Sequence, residues 1–268
     1  MKLNCYHLDA FTGKIFGGNS AAVCPLDAWL PETTMQKIAA ENNLAETAYF
    51  VPRGNEFDLR WFTPAVEVDL CGHATLAAAF ILFTERKFSG QIIRFHSRSG
   101  PLAVTRDGDV LILDFPARPP QPCPLPEALV RGLGRKPAQI LKSRDYFAVF
   151  DSADEVRALR PDFAALKTLD CLGTIVTARG DDCDFVSRFF APGGGIDEDP
   201  ATGSSHCTLI PYWAGQLGKT KLSARQLSTR GGEFICELAG DRVRIGGKTV
   251  LYLRGEIILD DDAVAHKK

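Results

Sequence analysis

Two stretches of this chain repeat each other, and a repeat of this length constrains the fold more than any other feature. Residues 57–64 read F-D-L-R-W-F-T-P and residues 185–192 read F-V-S-R-F-F-A-P, an offset of 128. Cys71-Gly72-His73-Ala74 and Thr202-Gly203-Ser204-Ser205 follow at an offset of 131, and S-R-S-G ending at Gly100 matches T-R-G-G ending at Gly232 at 132. A duplicated chain folds as two related lobes, and a cleft between such lobes is a usual place for a small-molecule site. The expected fold class is α+β: two related lobes, each a strand-rich sheet with few helices.

The proline-rich run from Asp114 to Pro124 favours an extended connector. It sets the expected lobes at residues 1–117 and 118–268, with the last strand free to pack on the first lobe. Short strands are expected on either side of the connector, with an amphipathic helix from Thr33 to Asn43 before it and one helical stretch from Pro161 to Leu169 after it. In both copies the segment after the shared glycine is apolar almost all round: residues 74–83 in the first, residues 207–214 in the second. A helix hydrophobic on every face must be wrapped by its sheet. Its N-terminus, with free N–H groups and the positive end of the dipole, favours an anion such as a carboxylate. Pro211 lies within the second helix and predicts a bend or a late start there.

Composition excludes several functions. A net charge of −2 and a pI near 6.2 leave no basic excess for a phosphate backbone, so no nucleic-acid partner is expected. No segment is apolar for the length needed to cross a bilayer and no signal-peptide pattern opens the chain, so a cytoplasmic protein without a membrane partner is expected. The eight cysteines contain no C-x-x-C pair, as in a reducing compartment. The five histidines show no H-E-x-x-H spacing, so no metal is expected.

What differs between the copies points to chemistry. Glu46 opens an apolar strand, and the offset of 128 sets Thr174 in its place in the second copy, so the carboxylate is present only once. By itself such a residue is equally a solvated strand end; in an apolar setting its pKa is raised, which suits a general acid/base. Residues 193–206, G-G-G-I-D-E-D-P-A-T-G-S-S-H, form the most specific local signal. Asp199 there reads either as a site residue or as a helix cap. His73 and Cys71 stand at the start of the first apolar helix, as a proton carrier and a thiolate or as a structural histidine and an inert buried thiol.

Together these motifs carry a resemblance. Residues 16–23 (F-G-G-N-S-A-A-V), 44–48 (L-A-E-T-A), 62–64 (F-T-P), 70–75 (L-C-G-H-A-T) and 198–204 (E-D-P-A-T-G-S) resemble the phenazine-biosynthesis isomerase-like proteins, relatives of diaminopimelate epimerase and proline racemase. The resemblance implies two pseudo-symmetric lobes, each a strongly curved mixed sheet, a barrel-like roll, wrapped around a central buried helix as in diaminopimelate epimerase; it also implies a homodimer, no cofactor, and a site between lobes in which Glu46 shuttles a proton. Residues matching Asn19, Gly72, His73, Asp199, Gly203 and Ser204 hold the substrate or assist, with His73 and Asp199 positioning or sharing the proton. Racemases of the wider superfamily use two facing cysteines; here Cys71 is matched by Thr202, which disfavours a two-thiol mechanism. The expected activity is therefore a cofactor-independent isomerisation of a small carboxylate-containing metabolite through Glu46. The alternatives are an amino-acid epimerase, racemase or dehydratase using Cys71, and a metabolite-binding protein without turnover.

Overall fold

The computed structural model describes residues 1–260. Its strands and helices alternate as β1 (Lys2–Ala10), β2 (Asn19–Pro25), α1 (Glu32–Asn42), β3 (Glu46–Arg53), β4 (Glu56–Phe62), β5 (Glu67–Val68), α2 (Gly72–Thr84), β6 (Ile92–Ser97), β7 (Gly100–Asp107) and β8 (Val110–Pro116). There follow β9 (Gln121–Pro122), α3 (Glu127–Leu133), β10 (Gln139–Lys142), β11 (Tyr146–Val149), α4 (Ala153–Ala158), α5 (Phe163–Leu166), β12 (Thr174–Arg179), β13 (Phe185–Phe190), β14 (Glu198–Asp199), α6 (His206–Leu217), β15 (Lys221–Gln226), β16 (Gly232–Ala239), β17 (Arg242–Gly247) and β18 (Thr249–Ile258). The fold is mixed and dominated by sheet.

The chain divides into two compact units, Met1–Asp114 with the segment from Gly246 on, and Phe115–Ile245. The division falls three residues before the expected boundary, within β8 rather than after it. The last strand leaves the second unit: β18 pairs antiparallel with β1 from Lys2 to Ala10, and Lys2 reaches Glu256. A strand of this length at the end of the chain gains its hydrogen bonds only by joining an open edge, and β1 supplies one.

In the first unit β3 is buried from Thr47 to Val51, because it is covered there on both faces. Tyr49 and Val51 face α1 in a core with Cys5, Cys24, Met35, Ile38 and Phe62, and the Tyr49 hydroxyl donates to the Met35 carbonyl at 2.8 Å. The helix α2 packs on β1, β2, β3, β7 and β18. It is buried at every residue from Gly72 to Ala79, the burial expected of a helix without a polar face.

The second unit repeats the order of pairings. Parallel β2–β3 and antiparallel β3–β4 are matched by parallel β11–β12 and antiparallel β12–β13, and parallel β4–β6 by parallel β13–β15. The side chains agree as well. Arg60 makes a two-pronged pair with Glu67 (2.7 and 2.6 Å) and lies over the Phe62 ring; Arg188 does the same with Glu198 (2.8 and 2.9 Å) and Phe190. The short helices α3, α4 and α5 pack outside this sheet, where the sequence reading expected one helical stretch from Pro161 to Leu169. The helix α6 runs through Pro211. The proline lacks the N–H that would bond the Cys207 carbonyl, and the Arg118 backbone N–H donates to that carbonyl instead at 2.8 Å. The helix does start late. Its first residue is His206, three after Gly203, whereas α2 begins at Gly72 itself.

Candidate active site

The end of α1 delivers Glu46. Asn43 stops the helix in the left-handed conformation (φ 48°), its N–H bonding the Ala39 carbonyl, and the chain enters β3 three residues later. The parallel register then sets Glu46 beside Ala21 of β2. From the other direction, Cys71 caps α2 with extended backbone, and its carbonyl accepts the Thr75 hydroxyl at 2.5 Å. This fixes His73 in the first turn.

These two approaches bring three sequence-predicted residues into contact. Glu46 Oε2 lies 3.0 Å from His73 Nε2, and Cys71 Sγ lies 3.5 Å from His73 Nδ1. The imidazole thus stands between a carboxylate and a thiol. The Glu46 side chain keeps 18% of its surface exposed and that of His73 6%. The Glu46–His73 contact is an ion pair by distance, but Oε2 has no aligned donor and is itself fully buried.

Electrostatics correct the expected raised pKa of Glu46. Burial does push its carboxyl up, but the charge on His73 and the contacts of His73 and Cys71 outweigh burial and hold it below 4.5. Burial likewise lowers His73, and the neighbouring Cys71 and Glu46 more than reverse this, raising the imidazole well above 6.5. Both shifts favour the charged forms, a carboxylate base beside an imidazolium acid. Cys71 is no thiolate: burial and the Glu46 charge push its thiol up to about 11.

Asn19 opens β2 fully buried, opposite Ala10 of β1. Gly18 before it has φ of 58°, and a Cβ there would come within 2.0 Å of the Ala10 carbonyl oxygen, so only glycine makes this turn. In the second unit Asp199 lies on β14 and accepts the Thr202 hydroxyl at 2.6 Å. It is not a helix cap; Ser205 occupies that position of α6. Gly203 and Ser204 form the turn ahead of α6, their carbonyls accepting the His206 and Cys207 N–H groups. Gln226, which sequence reasoning passed over, ties this turn together. It accepts from the Thr202 N–H at 2.8 Å and donates to the Asp199 carbonyl. Only its buried polar position in β15 could have signalled it.

The register also corrects the repeat partner of Glu46. Thr47 pairs with Phe62 and Thr174 with Phe190, so with Phe62 and Phe190 equivalent, Thr174 matches Thr47 and Glu46 matches Gly173. A Cβ at Gly173 would lie 2.5 Å from the Phe189 ring and 2.7 Å from the Phe190 carbonyl oxygen. By the same alignment Asp199 matches Val68, Cys71 matches Thr202 and His73 matches Ser204. The second unit builds the same scaffold with none of the three donors.

Comparison with known proteins agrees in sequence and in fold. The family model described as phenazine biosynthesis-like protein matches residues 8–255. The chain belongs to this family. An uncharacterized isomerase of Pseudomonas aeruginosa is 52% identical over 97% of this chain and 100% of its own length. The crystal structure of a phenazine biosynthesis PhzF-family protein from Enterococcus faecalis has a TM-score of 0.95 at 49% identity, covering 97% of this chain and 100% of that one. A hydroxyproline epimerase from Agrobacterium vitis shares the fold at 12% identity and a TM-score of 0.59, covering 98% and 94%. Relatives matched in sequence are named isomerases, which points to an enzyme of the isomerase type. No helix among the described residues is long and apolar enough to cross a membrane.

Proposed function

We propose that this family member is a cofactor-independent isomerase that moves a proton within a small carboxylate-containing metabolite, with Glu46 as the general base. The observation that carries the reading is the buried Glu46 carboxylate with Oε2 3.0 Å from His73 Nε2, both groups shifted toward their charged forms. In this reading Glu46 takes the proton from carbon and returns it at the new position, while His73 stabilises the negative charge that develops or passes a proton to it. The N–H groups of the first turn of α2, from Gly72 on, favour the substrate carboxylate. Asn19, Asp199, Gly203 and Ser204 are proposed as further ligands of the same substrate on the strength of the family resemblance, as is a homodimer.

Proton transfer by a positioned base supplies roughly 10²- to 10⁴-fold, so charge stabilisation carries much of the remainder. The substrate class is approached by screening small carboxylates for thermal stabilisation of the protein, since a ligand bound only to the native state raises its apparent stability. Stabilising compounds are then incubated with the protein in deuterated water. The reading expects deuterium at a carbon of at least one of them. Stabilisation without any exchange would identify a metabolite-binding protein instead.

A further inference from the structure

Two cysteines that the proposed chemistry does not use face each other across the first pair of strands. The antiparallel register of β1 and β2 runs unbroken from Ala10 opposite Asn19 to Tyr6 opposite Val23, which sets Cys5 opposite Cys24 one position further on. The kind of pair follows from the next strand. Pro25 pairs with Phe50 in the parallel register of β2 and β3, and the Leu26 N–H donates to the Phe50 carbonyl at 2.9 Å. Backbone polar groups alternate sides along a strand, so those of Cys24, two residues before Leu26, also turn toward β3 and away from β1. Cys5 and Cys24 thus form a non-hydrogen-bonded pair, in which Cα atoms stand about 4.5 Å apart and side chains come closest. A disulfide spans Cα separations of roughly 4.4–6.8 Å. Both side chains enter the core beside Tyr49 and Met35, and the two thiols are hydrogen-bonded to each other. We propose that Cys5 and Cys24 are a modification site at which a hydroperoxide forms one reversible cross-strand disulfide.

The surroundings assign the roles. The Cys24 thiol, with help from His7, favours the Cys5 thiolate and lowers its pKa against the effect of burial, whereas the contact with Cys5 and burial raise Cys24. Cys5 is therefore the nucleophile. Its thiolate attacks one peroxide oxygen, the O–O bond breaks, and a sulfenic acid and hydroxide result. The Cys24 sulfur then attacks the Cys5 sulfur; the S–S bond forms as the S–O bond breaks, and the Cys24 proton leaves with the departing oxygen as water. Each sulfur gives up one electron, and the peroxide ends as two molecules of water. Gly255, opposite Cys5 on β18, leaves a way in for so small an oxidant, since a Cβ there would meet only the Leu253 side chain, at 3.5 Å. The link does not reach Glu46. Tyr49 lines the core that holds the two sulfurs, and Glu46, three residues before it on β3, takes the other face.

The test treats the full-length protein with hydrogen peroxide, blocks remaining thiols and digests with trypsin in the absence of reductant. Cleavage after Lys14 separates residues 3–14, which hold Cys5, from residues 15–37, which hold Cys24. These two peptides should appear joined as the main linked species, two hydrogens lighter than their sum, and dithiothreitol should release them. The oxidised protein should unfold at least about 5 °C above the reduced one, because the link restricts the unfolded chain. Cys5→Ala and Cys24→Ala should each lose the linked peptide and the temperature shift, and Cys71→Ala should keep both. None of these readouts depends on the role proposed for Glu46, and the linked peptide of the native sequence decides the site even where an alanine weakens this core. Cys5 carried to a sulfinic acid without a linked peptide, a main link through other cysteines, or a link that forms only in denaturant would overturn the site. The linked peptide with no rise in unfolding temperature would leave the modification standing and overturn its effect on stability.

Discussion

The two units share a scaffold and differ at the positions that carry chemistry. Each ties its short strand to the neighbouring long one through an Arg–Glu pair stacked on a phenylalanine, and each anchors the carbonyl ahead of its buried helix. In the first unit the Thr75 hydroxyl bonds the Cys71 carbonyl; in the second, His206 Nδ1, 131 residues on, lies 2.8 Å from the Thr202 carbonyl. These shared devices hold the fold. Glu46, His73 and Cys71 have no counterparts beyond Gly173, Ser204 and Thr202, so they are not requirements of that fold. Conversely, Asp199 occurs only in the second unit. A scaffold whose strand order occurs in both units thus separates what folding needs from what function adds.

The comparison predicts its largest stability effect at Gly173. Gly173→Ala forces a Cβ against Phe189 and the Phe190 carbonyl, and should cost about 3 kcal/mol in urea unfolding. Glu46→Gln at the matching place should change stability by less than about 1 kcal/mol. Equal costs at both places would remove the distinction between them.

The two Arg–Glu pairs differ in their reserves. Arg188 bonds Glu198 and also the Val156 and Leu159 carbonyls, fastening β13 to α4. Glu67 retains Arg98 at 2.8 Å when Arg60 is removed. Arg188→Ala should therefore cost about 2 kcal/mol and Arg60→Ala about half of that, both read from denaturation midpoints at constant slope.

Smaller effects come from two buried histidines that titrate in opposite senses. The His73 pKa is raised, so its contribution is complete below 6.5 and is lost as pH rises through its higher folded value. The Glu46 pKa is lowered, so its contribution is complete above 4.5 and fades as pH falls below that. The first unit is thus best supported by this pair between about pH 4.5 and 6.5. His206 is fully buried, stacked on Phe234, and lowered to about 4 by burial. It contributes fully above 6.5, and that contribution is lost as pH falls toward 4. Hydrogen exchange corrected for intrinsic rates should show peptides of the second unit losing protection on acidification from pH 6.5 to 5 while those of the first hold. Parallel losses in both units would contradict these assignments.

The sequence made the repeat, the two apolar helices and the single carboxylate legible, because all three are local patterns. Its readings failed where a distant partner decides the outcome. The offset of 128 named Thr174 as the match of Glu46; the span from β12 to β13 is one residue longer than that from β3 to β4, and only strand pairing shows it. Burial alone predicted a raised Glu46 pKa; a histidine 27 residues away in sequence reverses it. Nor could Pro211 reveal that an Arg118 N–H would take up the carbonyl it leaves. The helices α3 to α5 were largely missed because each is two turns or shorter, with little periodicity to read.

The central claim is that Glu46, not Cys71, moves the proton. Deuterium incorporation from solvent into a stabilising carboxylate, measured for Glu46→Gln and Cys71→Ala beside the native sequence, tests it most directly. Glu46→Gln should lose exchange by about 10²-fold or more while still binding the ligand, and Cys71→Ala should retain most of it. Exchange that survives in Glu46→Gln and stops in Cys71→Ala would contradict the account and assign the chemistry to the thiol.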